Sequence, residues 1–227
     1  MTTDLEQPAR AGYWVRRLRR NAAVALASAA LTLVVFRLAT DKNSLAFKWS
    51  MATGYASVAL IGSALLLGPW WLSRSRRSPV STDVRRDLGL WGAAFALLHV
   101  ATGLQVHMGG DMLNYFFYRS RDGSHSLPVR LDPFGVTNWT GLAATLLLVF
   151  LVAISNDRAL RGLGARRWKR WQRSTYIAAV LIALHGVVFQ LMDRRAAPFI
   201  AALVMAIAVV LAFQLYGRRR TAALRDS

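Results

Sequence analysis

Apolar runs long enough to cross a membrane recur six times along the chain. A membrane-crossing helix needs roughly 20 predominantly apolar residues, because each residue adds about 1.5 Å along the helix axis. The six runs are Asn21–Ala39, Trp49–Leu72, Leu88–Met108, Val136–Ser155, Ser174–Met192 and Ala196–Tyr216. No soluble domain of useful size remains between them. The pattern therefore predicts an all-α integral membrane protein with six transmembrane helices.

The polar segments divide the predicted protein into three parts. Residues 1–20 form a basic N-terminal segment, residues 21–216 the six-helix domain, and residues 217–227 a basic tail. The arginines of the first segment are also compatible with a twin-arginine or secretory signal, with Ala27–Ala30 as a cleavage site. The apolar run continues through Leu31–Phe36 and reaches spanning length. This continuation favours an uncleaved first helix.

The net charge of +18 follows the predicted topology. If the N-terminus is cytoplasmic, 21 of the 29 Lys and Arg residues fall in inner segments. This distribution is the positive-inside bias of membrane proteins, and it predicts an N-in/C-in orientation. The basic charge is then an orientation signal with some contact to anionic membrane lipid, and nucleic acid is not an expected partner.

Residue types that are missing from the sequence limit the cofactor chemistry. The chain contains no cysteine, which excludes disulfides, covalent haem attachment through Cys-x-x-Cys-His and iron–sulfur ligation by this chain. It also lacks a glycine-rich nucleotide fingerprint, so any domain that binds a nucleotide reductant belongs to another protein.

Two histidines occupy equal depths in two predicted helices. His99 follows Arg86 by 13 residues, and His185 follows Arg173 by 12 residues. Both helices enter from the cytoplasmic side, so both imidazoles lie roughly 18–20 Å into the membrane. An ionisable side chain at this depth indicates function by default. The alternative is that two unrelated buried histidines bond to backbone carbonyls.

Small residues surround His99 on its helix. Gly92, Ala96, His99 and Gly103 recur at helical spacing and share one face. Small residues allow helices to approach closely in a membrane. They would also leave a shallow trough for a flat macrocycle, and His99 at the centre favours this second interpretation. Bis-histidine ligation of one haem b by His99 and His185 is the resulting hypothesis, with a second acceptor expected for the other nitrogen of each ring.

Further candidates lie near the ends of the helices. Arg194 and Arg195 follow the fifth span and are predicted to pair with haem propionates. The outer segment Gly109–Pro133 is long enough to cap an outward-facing site or dock a partner. His107 and His125 are expected to be ordinary solvated histidines, with metal binding by this pair as the alternative. The inner segment Asn156–Arg173 suits the membrane surface, or docking of an acidic soluble partner.

Two stretches resemble ferric reductase-like transmembrane proteins. The first is Arg85-Arg86-x-Leu88-Gly89-Leu90 followed by Phe95-x-x-Leu98-His99, and the second is Arg167-Trp168-Lys169-Arg170 with Arg173-x-x-Tyr176 and Leu184-His185. The nearest likeness is to the MsrQ or YedZ type, the haem-binding membrane subunits of bacterial methionine sulfoxide reductase systems. This resemblance implies a multi-pass protein of the bacterial inner membrane, and it implies that His99 and His185 are the outer pair of haem ligands.

The sequence departs from that family at one position. The family usually has a second histidine 13 residues before the later ligand, where this chain has Gln172. The matching inner position on the third helix falls near Arg85 or Arg86. The resemblance therefore implies one haem on the outward side, without a second haem on the inner side.

The expected function is membrane electron transfer by haem b. By resemblance, the donor is a cytoplasmic flavin reductase or membrane quinol, and the acceptor is an outward-facing or periplasmic redox partner. FMN or a quinone is a candidate for transient binding. Whether the chain is itself an oxidoreductase stays open. The alternatives are a haem-less or degenerate membrane anchor or assembly subunit and, less in keeping with the absence of paired buried carboxylates, a transporter.

Overall fold

The computed structural model describes residues 6–39, 44–73, 80–118 and 128–223. Within these ranges the fold is helical, which confirms the predicted all-α class. The helices are α1 Glu6–Leu38, α2 Leu45–Ser73, α3 Val80–Gly103, α4 Pro133–Ile154, α5 Asp157–Gln172, α6 Ser174–Met192 and α7 Ala197–Ala223.

Five described segments are long and apolar enough to cross a membrane, where the sequence predicted six. These segments are Gly12–Leu38, Leu45–Ser73, Pro133–Ile154, Asp157–Met192 and Ala197–Ala223. The predicted span Leu88–Met108 is the one whose helix is not long and apolar enough to be counted among them. Its helix, α3, ends at Gly103, and the first turns carry Arg85, Arg86 and Asp87. The apolar part of α3 is therefore shorter than the sequence pattern suggested.

Two helix pairs enclose the interior of the bundle. The central helix α2 packs along α3, and α4 packs along α6. Ser57 of α2 donates to the Gly92 carbonyl of α3 at 2.9 Å. A side chain at Gly92 would collide with Ile61 of α2, so this glycine permits the close approach of the first pair. α1 and α7 flank α2 on the outside.

A buried carboxylate joins α1 to α3. Asp87 is 4% exposed and accepts hydrogen bonds from Arg17, Arg20 and Asn21 of α1. The side-chain Oδ1 of Asn21 in turn accepts from the indole N–H of Trp91 at 3.0 Å. Because a carboxylate is costly to bury unless it is paired and hydrogen-bonded, these contacts account for its position inside the bundle.

The described parts of the predicted outer segment fold back over the end of α3. Short 3-10 turns cover Met108–Gly110 and Met112–Tyr115, and Phe117 pairs with Val129 in an isolated β-bridge. Asp132 then caps α4 by accepting from the Gly135 N–H at 2.7 Å. Arg119, Arg121 and His125 of the predicted segment lie outside the described residues.

The basic segment that was predicted to lie on the inner side forms a helix of its own. Most of Asn156–Arg173 is α5, which begins after the cap Asn156 and bends at Gly164, where φ is 71°. Exposed arginines and Lys169 follow one another along this helix, while the indole of Trp168 donates to the Ile154 carbonyl at 2.8 Å. A basic helix with a few anchoring aromatic side chains is typical of a membrane-surface element.

Candidate functional site

His99 of α3 and His185 of α6 face one another inside the bundle. Their ring centres are 6.1 Å apart and the ring planes cross at 82°. Among the described residues the backbones of α3 and α6 nowhere come within 8 Å of each other. The two imidazoles therefore reach across a gap between helices that are held apart by their neighbours.

Hydrogen bonding selects the same tautomer at both rings. The Nδ1 of His99 lies 2.8 Å from the Ser50 carbonyl oxygen, and the Nδ1 of His185 lies 2.9 Å from the Thr137 carbonyl oxygen. A carbonyl oxygen can only accept, so each Nδ1 carries the proton. In a neutral imidazole the Nε2 then keeps a free lone pair, which is the donor that a metal requires.

A glycine lies directly behind each imidazole. A Cβ atom at Gly54 of α2 would be 3.0 Å from Nδ1 of His99, and a Cβ atom at Gly141 of α4 would be 2.7 Å from two ring atoms of His185. Contacts this close are not available to a real side chain without movement of the ring. Each histidine is thus seated against bare backbone of the neighbouring helix.

The two histidines line a cavity of about 270 Å³. On the same measure a single water needs only roughly 10–15 Å³, so the space suits a much larger ligand. Among the residues of its wall are several small ones: Gly54, Ala96, Gly103, Gly141, Ala144 and Gly186. Of the small residues predicted around His99, Ala96 and Gly103 are in this wall, whereas Gly92 lies outside it, against α2.

The end of the cavity near the C-terminus of α6 is polar and cationic. Arg195 lines the cavity and donates to Asp193 at 2.9 Å, while its guanidinium lies 4.0 Å from the Phe47 ring centre. Burial lowers the pKa of Arg195, and the nearby Asp193 carboxylate opposes that shift. Its Nε is buried and has no hydrogen-bond partner among the described residues. Arg194 is exposed and absent from the wall.

A second polar group lies beside Arg195. Gln190 is 9% exposed and donates to the hydroxyl of Tyr55 at 2.8 Å, and that hydroxyl donates to the Phe199 carbonyl at 2.7 Å. Because the Tyr55 proton is used on a carbonyl, the amide must present N–H₂ to Tyr55. The Gln190 Oε1 is left buried and unpaired within the described structure.

His107 is part of this site, contrary to its prediction as an ordinary solvated histidine. It is half-buried, lines the cavity and stacks on Phe189, with ring centres 6.2 Å apart. The buried hydroxyl of Tyr115 accepts from the backbone N–H of His107 at 2.7 Å and lies 3.1 Å from the Gly103 carbonyl oxygen. Burial also raises the pKa of the Tyr115 phenol. Sequence spacing could not reveal this contact, because it depends on the return of the chain after α3.

The opposite end of the bundle interior is filled by side chains. Toward the N-terminal ends of α3 and α6 the core consists of Ile61, Leu65, Ala93, Ala96, Leu148 and Ala178. Gln172, which replaces the expected inner histidine, donates to the Ser155 hydroxyl at 3.2 Å at the junction with α5. A second cofactor has no comparable space among these described residues.

The separation of the two imidazoles matches that expected of two ligands of one metal ion. Two imidazole nitrogens bound at about 2.0–2.1 Å on opposite sides of one ion would place the ring centres roughly 6.3 Å apart. The observed separation is 6.1 Å. No group of three or more His, Cys, Asp or Glu side chains suited to a metal ion occurs in the described ranges. His99 and His185 are the residues of this site that would hold a metal-containing cofactor in the cavity.

Known proteins with similar sequences include proteins named as heme-binding subunits. MsrQ, the heme-binding subunit of protein-methionine-sulfoxide reductase, is 30% identical in Cronobacter sakazakii and 27% identical in Klebsiella pneumoniae subsp. pneumoniae over 133 residues. Each alignment covers 59% of this chain, and the chain spans 59% and 58% of those two relatives. The magnetosome protein MamZ of Magnetospirillum gryphiswaldense is 33% identical over 106 residues, which is 45% of this chain and 14% of MamZ.

The family comparison covers more than half of the chain. Residues 53–183 match the model of the ferric reductase like transmembrane component. This range contains His99 and ends two residues before His185. It includes α3, α4 and α5, together with most of α2 and the first half of α6. The chain therefore belongs to the ferric reductase like transmembrane component family.

Proposed function

We propose that this protein binds one haem b between His99 and His185 and transfers electrons through it across part of a membrane. The observation that carries the proposal is that the two imidazoles, with ring centres 6.1 Å apart, line one cavity of about 270 Å³. The Nδ1-to-carbonyl hydrogen bonds, at 2.8 and 2.9 Å, leave the Nε2 of each ring free to bind a metal. Two histidines that merely satisfied their own burial would not require this space between them.

The residues of the chain have distinct tasks in this proposal. His99 and His185 would hold the haem iron through their Nε2 nitrogens, and the carbonyls of Ser50 and Thr137 hold each ring in the tautomer that leaves Nε2 free. The small residues of the cavity wall leave room for a flat macrocycle. Arg195 would bind a propionate, which its buried and unpaired Nε supports. When bound, haem supplies one-electron redox chemistry, and the protein sets its position, dielectric and axial ligands.

The site lies nearer one membrane surface than the other. We place six spans with both termini inside, counting α3 as the sixth because it carries His99 through the centre of the bundle. His99 is then 12 residues from Asp87, roughly 18 Å along the helix. The packed inner core and Gln172 offer no intermediate cofactor site on that side. This arrangement favours membrane quinol over a cytoplasmic flavin reductase as the donor, and an outward-facing acceptor.

The relatives suggest the biological setting. Those named MsrQ are heme-binding subunits of protein-methionine-sulfoxide reductases from bacteria. By analogy, we place this chain in the bacterial inner membrane as the electron-transfer subunit of a system with a separate outward-facing catalytic partner. Methionine sulfoxide repair is one candidate for that system. The chain spans 59% of the length of the MsrQ relative from Cronobacter sakazakii.

Stopped-flow absorbance of the purified protein in detergent tests the donor. Ferric wild type is mixed with a short-chain quinol, or with a flavin reductase and its nicotinamide. We expect quinol to reduce the haem faster, and His99→Ala and His185→Ala to abolish the signal. A colourless wild type would favour the alternative of a haem-less anchor or assembly subunit. A coloured protein that is reduced only through flavin would reverse the proposed donor.

A further inference from the structure

The two helix segments that contact His99 and His185 share one five-residue pattern. Ser50-Met51-Ala52-Thr53-Gly54 in α2 and Thr137-Asn138-Trp139-Thr140-Gly141 in α4 share the pattern Ser/Thr-x-x-Thr-Gly. The first residue of each gives its carbonyl to a histidine Nδ1, and the last is the glycine against which that imidazole lies. The elements that carry these pentapeptides, α2 and α4, are the partners of the two histidine helices.

Each repeat controls one histidine in two ways. The carbonyl fixes the tautomer, as described above. The glycine fixes the rotation of the ring, because the imidazole occupies the volume that a Cβ atom would need. The two pentapeptides therefore determine that the Nε2 of each imidazole is free. They also determine the 82° angle at which the two ring planes cross.

We propose that the pentapeptides Ser50–Gly54 and Thr137–Gly141 form a duplicated cradle that holds the two imidazoles perpendicular and tunes their strength as ligands. This inference rests on the proposed haem ligation and adds four positioning residues to it: Thr53, Gly54, Thr140 and Gly141. They act through the histidines, since none of their side chains is itself a ligand.

The threonines of the two repeats differ in one informative respect. The hydroxyl of Thr140 donates to the Thr137 carbonyl at 2.7 Å, so that oxygen is shared with His185. The hydroxyl of Thr53 donates chiefly to the Trp49 carbonyl at 2.7 Å and lies 3.2 Å from the Ser50 oxygen. A carbonyl that already accepts one strong hydrogen bond accepts a second less strongly. The Ser50 hydroxyl also lies 3.2 Å from Nδ1 of His99, a contact that His185 lacks among the described residues. In this proposal His185 is the weaker donor of the two, and Thr140 is one source of the difference.

The glycine half of the cradle is tested by EPR of the ferric protein. The g anisotropy of a low-spin bis-imidazole haem is greatest when the ligand planes are perpendicular, so wild type should give a highly anisotropic signal. Gly141→Ala should shift the signal toward a rhombic one and weaken haem affinity roughly 10-fold. Gly54→Ala should shift it less, since its Cβ contact is longer. Gly62→Ala is the matched control on α2, because its Cβ would meet Val210 at an ordinary 3.5 Å.

The threonine half is tested by redox titration. Thr140→Val should lower the midpoint potential, because the freed carbonyl makes His185 a stronger donor that stabilises ferric iron. Thr53→Val should lower it less. Wild type without haem would overturn the proposed function itself. Haem that is retained with an unchanged EPR signal in both alanine variants, or an equal potential shift in both valine variants, would overturn the cradle and leave haem ligation intact.

Discussion

The imidazole of His185 lies 6.1 Å from that of His99, although the two residues are 86 positions apart and belong to helices that do not pack on each other. α2 holds one ring and α4 holds the other. Because two separate helix pairs set the gap, its width does not depend on contact between the histidines themselves. This arrangement suits a site that must remain open for a planar ligand.

Arg195 should contribute to cofactor retention and Arg194 should not. Replacing Arg195 by Met removes the cation from the cavity wall, and a lost charged hydrogen bond of about 1.5–3 kcal/mol weakens binding roughly 10- to 100-fold. Haem content after gel filtration in detergent measures the loss. Arg194→Met is the matched control, because Arg194 is exposed beside the site. Equal retention by both variants would remove Arg195 from the proposed propionate contact.

Asp87 should be essential to the attachment of α1. Asp87→Asn leaves Arg17 and Arg20 without their buried counter-charge, and breaking a buried ion pair costs about 3–5 kcal/mol. We expect a large fall in thermal unfolding temperature in detergent. Asp157→Asn serves as the control, since Asp157 is 70% exposed in its pair with Arg86 and such surface pairs contribute about 0–1 kcal/mol. Similar unfolding temperatures for both variants would contradict a structural role for the Asp87 cluster.

Tyr115→Phe should weaken the packing of the chain around His107 at the end of the cavity near the C-terminus of α3. The change removes the acceptor of the His107 N–H and the donor to the α3 terminus, and an unpaired buried group costs about 1–3 kcal/mol. Faster haem loss and a lower unfolding temperature are expected together. Tyr216→Phe removes a hydroxyl that accepts from Arg220 on an exposed surface and should change neither quantity. Wild-type stability in the Tyr115 variant would show that this hydroxyl does not support the site.

The pairing of His99 with His185 could be predicted from the sequence, because charged residues precede the two histidines by 13 and 12 positions. The partners of these histidines could not be predicted from hydropathy, since α4 is apolar and contains no ionisable residue. Its Thr137 carbonyl and Gly141 are nevertheless half of the site. The repeated Ser/Thr-x-x-Thr-Gly pattern was the available signal. The burial of His107 depends on how the chain returns after Gly103, and local sequence does not encode that return.

Optical difference spectroscopy of the purified protein, combined with a pyridine haemochrome assay, tests the central claim most directly. We predict a b-type reduced-minus-oxidised spectrum with about one haem per chain, since His99 and His185 together provide two axial ligands for one iron. His99→Ala and His185→Ala should each abolish the spectrum while the protein stays in the membrane. A colourless wild type, or a spectrum that survives either substitution unchanged, would contradict the account.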